Sequence, residues 1–313
     1  MEFVMPPIIL YDTTLRDGTQ GENINFSAEE KLKIAKRLDD IGIHYIEGGW
    51  PGSNPRDKKF FDLASSKDFR NARLTAFGST RRPGIAPQDD ANVSALIESG
   101  TPVVTIFGKT WDMHVEQIMD NTLKENLAMI NDTVAYLKTT GCEVIYDAEH
   151  FFDGYHENPE YAMETLHAAL DAGADALVLC DTNGGTLPFD VDTATRSVCK
   201  AMNVHPEAEG DASPVTIGIH THNDCGLAVA NTITAVHAGA TMVQGTINGY
   251  GERCGNADLN SIIPILCLKM QLKCMSPENL AKLKSICRFV SETANLVPLN
   301  TRPFVGKSAF AHK

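Results

Sequence analysis

Eight short runs of β-branched and apolar residues recur along the chain, each followed by a polar turn and most by a helix-length segment, and this alternation limits the available folds more than any other feature. The runs are Ile8 to Tyr11, His44 to Glu47, Arg73 to Phe77, Val103 to Phe107, Glu143 to Tyr146, Ala176 to Cys180, Val215 to Ile219 and Met242 to Thr246. Ser27-Ala28-Glu29-Glu30 has the form of a capping box that opens a helix through about Asp40, and Ile118 to Thr139 and Pro159 to Ala172 are the clearest later helices. Gly42, Gly100, Gly141, Gly173 and Gly239 stand shortly before the next strand, where helices end in a left-handed residue. The pattern predicts an α/β fold, a (β/α)8 TIM barrel. A doubly wound sheet would want a Gly-x-Gly-x-x-Gly turn after an early strand, whereas Gly249-Tyr250-Gly251-Glu252-Arg253-Cys254-Gly255 has other spacing and follows the last strand.

The length of 313 residues suits one barrel of roughly 250 residues plus an appendage. We expect the catalytic barrel in residues 1–272, with a short C-terminal helical extension beginning at Ser276-Pro277-Glu278-Asn279 and reaching about Ala294. Residues 273–313 read as the start of a C-terminal linker or subdomain, truncated before it finishes. A net charge of −13 argues against nucleic acid and anionic membrane surfaces as partners, so an anionic substrate must meet a local basic pocket. The N-terminus lacks the basic and apolar regions of a signal peptide and no apolar run spans a bilayer, so a cytoplasmic protein is expected. The eight cysteines form no Cys-x-x-Cys pair, and a core this large needs no staples, which favours reduced thiols. Cys225 and Cys254 flank the region discussed next, and neither is assigned a role.

In Val215-Thr216-Ile217-Gly218-Ile219-His220-Thr221-His222-Asn223-Asp224 the two histidines fall at i and i+2 of a strand and so share a face. Two imidazoles there can reach one divalent ion, although the same pair suits ordinary strand-end histidines. In a barrel the strand ends converge, so Asp17, in the loop after the first strand, is the candidate carboxylate ligand, and Asn256 could add a carbonyl oxygen. Such a set leaves positions open for water or substrate, and magnesium, manganese or zinc would all suit it.

Arg16 would bring a permanent positive charge to where an oxyanion forms, and Glu47 could hold its guanidinium in a bidentate pair, unless the two merely close the barrel mouth. Glu149, amid Phe151 and Phe152, is the candidate proton-handling group, because an apolar surround raises a carboxylate's basicity; a solvated loop glutamate is the alternative. Thr182, in Asp181-Thr182-Asn183-Gly184-Gly185, offers a hydroxyl to a substrate carboxylate. Arg81, Arg82 and Lys109 are basic residues near barrel loops that could meet a coenzyme, or simply be solvated.

Three motifs in order, Leu15-Arg16-Asp17-Gly18-Thr19-Gln20, His220-Thr221-His222-Asn223-Asp224 and Gly251-Glu252-Arg253-Cys254-Gly255-Asn256, resemble those of the DRE-TIM metallolyases. The resemblance is to the acyl-transferring branch that includes 2-isopropylmalate, homocitrate and citramalate synthases and, more distantly, hydroxymethylglutaryl-CoA lyase. It implies Asp17, His220, His222 and Asn256 as metal ligands, Arg16 as the catalytic arginine with Glu47 its companion, Glu149 as the family glutamate and Thr182 as the residue touching the keto acid. Tyr45-Ile46-Glu47-Gly48-Gly49-Trp50-Pro51-Gly52-Ser53-Asn54-Pro55 is most similar to one citramalate synthase branch. The expectation is therefore an acyltransferase that condenses acetyl-CoA with pyruvate in a metal-assisted Claisen-type reaction, feeding isoleucine biosynthesis, and works as a homodimer. In that family a further histidine beyond Ala309-Phe310-Ala311-His312-Lys313 acts in catalysis, so weak or no turnover is expected here. The alternatives are a 2-isopropylmalate synthase using 2-oxoisovalerate, a lyase on the same scaffold, and a barrel that binds a keto acid without converting it.

Overall fold

The computed structural model describes residues 6–204 and 215–311. Eight parallel strands close on themselves in sequence order. They are β1 (Ile9–Asp12), β2 (Tyr45–Gly49), β3 (Arg73–Ser79), β4 (Val103–Lys109), β5 (Glu143–Glu149), β6 (Ala176–Asp181), β7 (Thr216–Thr221) and β8 (Met242–Gly245). Closure comes from β1 pairing with β8, in register from Ile9 against Met242 to Asp12 against Gly245. Around them run α1 (Ala28–Asp40), α2 (Pro55–Ala64), α3 (Ala91–Glu98), α4 (Leu123–Thr139), α5 (Phe151–Glu157), α6 (Pro159–Asp171), α7 (Pro188–Ala201), α8 (Ala228–Ala238) and α9 (Leu259–Pro264). No helix among the described residues is long and apolar enough to cross a membrane.

Local chemistry sets the helix limits. The capping box at Ser27 is formed, its hydroxyl accepting from the Glu30 amide while the Glu30 carboxylate accepts from the Ser27 amide. All five glycines read as helix ends have positive φ, from 67° at Gly100 to 122° at Gly239. Helix α4 starts five residues later than the sequence suggests, because the Thr122 hydroxyl caps it by accepting from the Glu125 amide, while His114–Ile118 forms a separate wide turn. The C-terminal extension is two helices rather than one, α10 (Pro277–Leu280) and α11 (Leu283–Thr293). The Lys282 amide bonds back to the Asn279 carbonyl, which ends α10 in a tight turn. Helix α11 then lays Leu283, Ile286, Cys287 and Val290 on the core.

Strand parity divides the protein into two apolar layers. Leu10, Ile46, Val104, Val144, Leu177, Ile217 and Val243 face outward into the core beneath the helices. Their neighbours Tyr11, Val103, Ile145, Ala176, Val178 and Met242 point inward and fill the barrel itself. Every residue two further along from an inward position also faces the barrel axis, and this rule positions the site.

Strand β2 departs from the regular ladder. Its pairing with β3 skips Gly48, so that Glu47 opposes Thr75 and Gly49 opposes Ala76. A Cβ on Gly48 would lie 2.2 Å from the Phe60 ring, and Gly49, at φ 147°, runs against Asp57. Asp57 accepts from the Trp50 amide at 2.9 Å and forms a buried ion pair with Lys31, which also donates to the Gly48 carbonyl. The bulge and this pair together aim Trp50 over the barrel mouth.

Candidate active site

The inward positions at the C-terminal strand ends carry Glu47 on β2, Phe77 on β3, Phe107 and Lys109 on β4, Asp147 and Glu149 on β5, His220 on β7 and Gln244 on β8. Thr182 and His222 continue the same parity just beyond β6 and β7. Arg16 and Asp17 enter from the turn after β1.

Asp17, His220 and His222 are buried and offer one ligand atom each, all within 4.8 Å of one another. The Nε2 of His220 lies 3.1 Å from Asp17 Oδ2 and 3.2 Å from His222 Nε2. Gln244 explains how His220 is set. Its amide nitrogen donates to Asp147 Oδ1 at 2.9 Å, which leaves its carbonyl to accept from His220 Nδ1 at 2.8 Å. The proton is thereby held on Nδ1, and the Nε2 lone pair faces the cluster. Burial pushes His222 down to about 3, so it is neutral at physiological pH. Burial disfavours the His220 cation, but in that cation Nε2 also carries a proton and donates it to Asp17, and this bond with the carboxylate's charge raises His220 above the ordinary histidine value. Burial would raise the Asp17 carboxyl, yet the Arg16 guanidinium and both imidazoles hold it well below the usual carboxylate range.

The loop after β8 brings Asn256 alongside His222, the two paired by backbone. Both atoms of its side-chain amide are buried without a hydrogen-bond partner among the described residues. Gly255, at φ 90° and placed where a Cβ would strike the Gly249 carbonyl, lets the loop fold back this closely. A buried carboxylate, two imidazoles with converging nitrogens and an unpartnered amide are a donor set suited to a divalent cation.

Arg16 stands beside this cluster, its Nη1 3.4 Å from Asp17 Oδ1 and its Nε donating to Glu47 Oε1 at 2.6 Å. The expected bidentate pairing is not formed. The second Glu47 oxygen accepts from the Tyr11 hydroxyl at 2.6 Å, and that hydroxyl also meets Thr105 Oγ1 at 2.8 Å. The guanidinium instead gains a second restraint from the Phe77 ring, whose centroid is 3.7 Å from its central carbon.

A cavity of about 260 Å³ opens above these groups. Trp50, Phe77 and Phe107 wall it, with the Trp50 ring edge-on to both phenylalanines and its Nε1 donating to Asn92 at 2.6 Å. Glu149 and Thr182 line it as well. The surroundings of Glu149 differ from the expected apolar ones: Phe151 and Phe152 turn into the core, and the near neighbour is Lys109, 2.5 Å away. The Thr182 oxygen accepts from the His150 amide at 2.9 Å, so its own proton is left to donate. Arg81 is buried between Glu125 and Asp132 and does not lie free for a coenzyme, whereas Arg82 is exposed, 3.5 Å from Asp90. His312 lies outside the described residues.

The sequence profile described as HMGL-like matches residues 7–296. The chain belongs to the HMGL-like family. Within it, the protein is 55% identical over 304 residues to a Synechocystis sp. protein described as (R)-citramalate synthase, a match covering 97% of this chain and 55% of that one. It is 33% identical to a probable 2-isopropylmalate synthase of Methanopyrus kandleri, covering 97% of this chain and 56% of that one. The chain thus spans about half the length of the curated relatives it matches. The HMG-CoA lyase of Bacillus subtilis superposes with a TM-score of 0.76 over 96% of this chain and 97% of its own, at 21% identity, and so shares the fold.

The HMGL-like barrel also holds residues that the sequence reading passed over. Asp147 is buried in the cavity wall, and burial, with the charge of Glu47, pushes its carboxyl up to about 7. Gln244 and Tyr11 act through His220 and Glu47. Only parity could have marked them: Asp147 stands two residues before Glu149, and Gln244 two after the inward Met242.

Proposed function

We propose that this chain is the catalytic barrel of a citramalate synthase, which condenses acetyl-CoA with pyruvate and then hydrolyses the thioester with one water to give citramalate and CoA. The observation that carries this reading is Arg16, locked by Glu47 and Phe77 directly beside the Asp17, His220 and His222 cluster, under an aromatic wall that leaves a small cavity. The identity to proteins described as citramalate synthases supports the choice of substrates. We assign the barrel domain to residues 1–272 and a separate segment to 273 onward.

Asp17, His220, His222 and Asn256 would hold a divalent ion, magnesium, manganese or zinc. When bound, such an ion supplies Lewis acidity to the carboxylate and carbonyl oxygens of a 2-oxo acid. Thr182 donates its hydroxyl proton to the keto-acid carboxylate and fixes its orientation. Glu149 takes a methyl proton from acetyl-CoA, and the Lys109 ammonium beside it orients the accepting carboxylate. Arg16 meets the oxygen on which negative charge gathers as the carbon–carbon bond forms, a role worth ~3 kcal/mol for one well-placed donor. Trp50, Phe77 and Phe107 keep water from the reacting carbons and limit the keto acid's side chain.

The second reading, 2-isopropylmalate formation, is favoured only by the more distant relative. Thiol release from acetyl-CoA with pyruvate, 2-oxobutyrate and 2-oxoisovalerate separates the two, together with calorimetric titration of each acid into manganese-loaded protein. We expect pyruvate to lead in both measurements. A clear preference for 2-oxoisovalerate overturns the assignment.

A further inference from the structure

At the end of the barrel opposite the cluster, two cysteines that form no sequence motif meet. Cys267 ends up 3.1 Å from Cys274, sulfur to sulfur, and both are free thiols. Cys267 lies on the wide turn Ile265–Lys269, closed by the Met270 amide on the Ile265 carbonyl at 3.0 Å and the Leu272 amide on the Leu266 carbonyl at 2.9 Å. The Ile8 amide, just before β1, donates to the Lys273 carbonyl at 2.8 Å, so the loop is moored to the barrel's underside. The two thiols are in hydrogen-bond contact, and with Cys274 as donor the Cys267 sulfur is the acceptor. Cys267 is partly exposed while Cys274 is buried, and a cavity of about 500 Å³ lined by Leu268, Leu272 and His44 reaches both sulfurs.

We propose that Cys267 and Cys274 are a peroxide-reactive dithiol that closes to a disulfide, with Cys267 the attacking sulfur and Cys274 the resolving one. A thiol donor 3.1 Å away stabilises the thiolate of the more exposed cysteine, and this hydrogen bond from Cys274 brings Cys267 down to about 7. That same contact, with burial, raises Cys274, which therefore keeps its proton until it is needed. The Cys267 thiolate attacks one oxygen of a hydroperoxide, the O–O bond breaks, and hydroxide or alkoxide leaves to give a sulfenic acid. The Cys274 sulfur then displaces the sulfenic hydroxyl, its own proton leaving with that hydroxyl as water. Both sulfurs are oxidised by one electron each and one peroxide bond is reduced. The reaction is independent of the metal cluster and of the proposed condensation.

The test is a peptide map of the whole chain after one equivalent of hydrogen peroxide, followed by alkylation and trypsin. Cleavage after Arg253, Lys269, Lys273 and Lys282 leaves Cys267 in peptide 254–269 and Cys274 in peptide 274–282. We expect these two peptides joined and lighter by two hydrogens, separated again by dithiothreitol. The link should persist in Cys254→Ser, which removes the other cysteine of the first peptide, and vanish in Cys267→Ser. In Cys274→Ser, Cys267 should be trapped as a dimedone adduct. Both cysteines alkylated as in untreated protein, sulfinic acid at Cys267 without the link, or a link that survives Cys267→Ser would each overturn the proposal.

Discussion

Replacing Asp147 with asparagine should stabilise the metal-free protein, and the gain should grow with pH. The Asp147 side chain is 4% exposed, and burial with the charge of Glu47 lifts its carboxyl from the ordinary 3.8 to about 7. Between those two values the folded protein keeps a proton that the unfolded chain has released. The stability this group contributes is complete below the unfolded value and drains away as pH rises, at ~1.4 kcal/mol per pH unit, until the folded value is passed. The carboxamide of Asp147→Asn would keep an oxygen for the Gln244 amide and have no charge to bury. The variant should therefore exceed the parent by about 2 kcal/mol near pH 5 and by about 4 kcal/mol near pH 8. Urea unfolding followed by the fluorescence of Trp50 and Trp111, in excess chelator, measures the difference at each pH. An equal gain at both pH values, or a loss at the higher one, would refute the reasoning that folding opposes the ionisation of a carboxyl enclosed in this wall.

Gln244→Leu removes the acceptor that holds the His220 proton on Nδ1, so calorimetry should show manganese affinity falling by ~10–100-fold while thermal unfolding of the chelated protein changes little; an unaltered affinity contradicts the tautomer argument. Arg16→Lys keeps the charge but loses the fork that meets Glu47 and the stacking on Phe77, and kcat for condensation should drop by ~100-fold with KM for pyruvate little changed; a rise in KM alone would place Arg16 in binding only. Phe107→Ala opens the aromatic wall and should move the kcat/KM ratio toward 2-oxoisovalerate by about 10-fold or more, read by competition between the two acids.

The barrel was legible because its strands are β-branched runs, each bounded by a helix-ending glycine or a polar turn, and those local signals agree with one another. Asp17, His220 and His222 were legible as well, since two imidazoles on one strand face ask for a cation and a cation asks for a carboxylate. What escaped depends on contacts between distant strands. The hydroxyl of Tyr11 takes one oxygen of Glu47 from 36 positions away, and no pattern around either residue announces it. Glu149 was given an apolar setting from its sequence neighbours, yet its neighbour in space is Lys109, level with it on the adjoining strand. Cys267 and Cys274 are seven positions apart, and only the fold of the turn between them brings them together.

The order in which the ring closes has a bearing on biosynthesis. Asp17 follows the first strand and His220 sits on the seventh, and the eighth slots between those two strands. A chain leaving the ribosome cannot assemble the ion site until its eighth strand has emerged and inserted. Loading of the full donor set would then follow closure, because Asp17 and the histidine pair meet only in the completed ring.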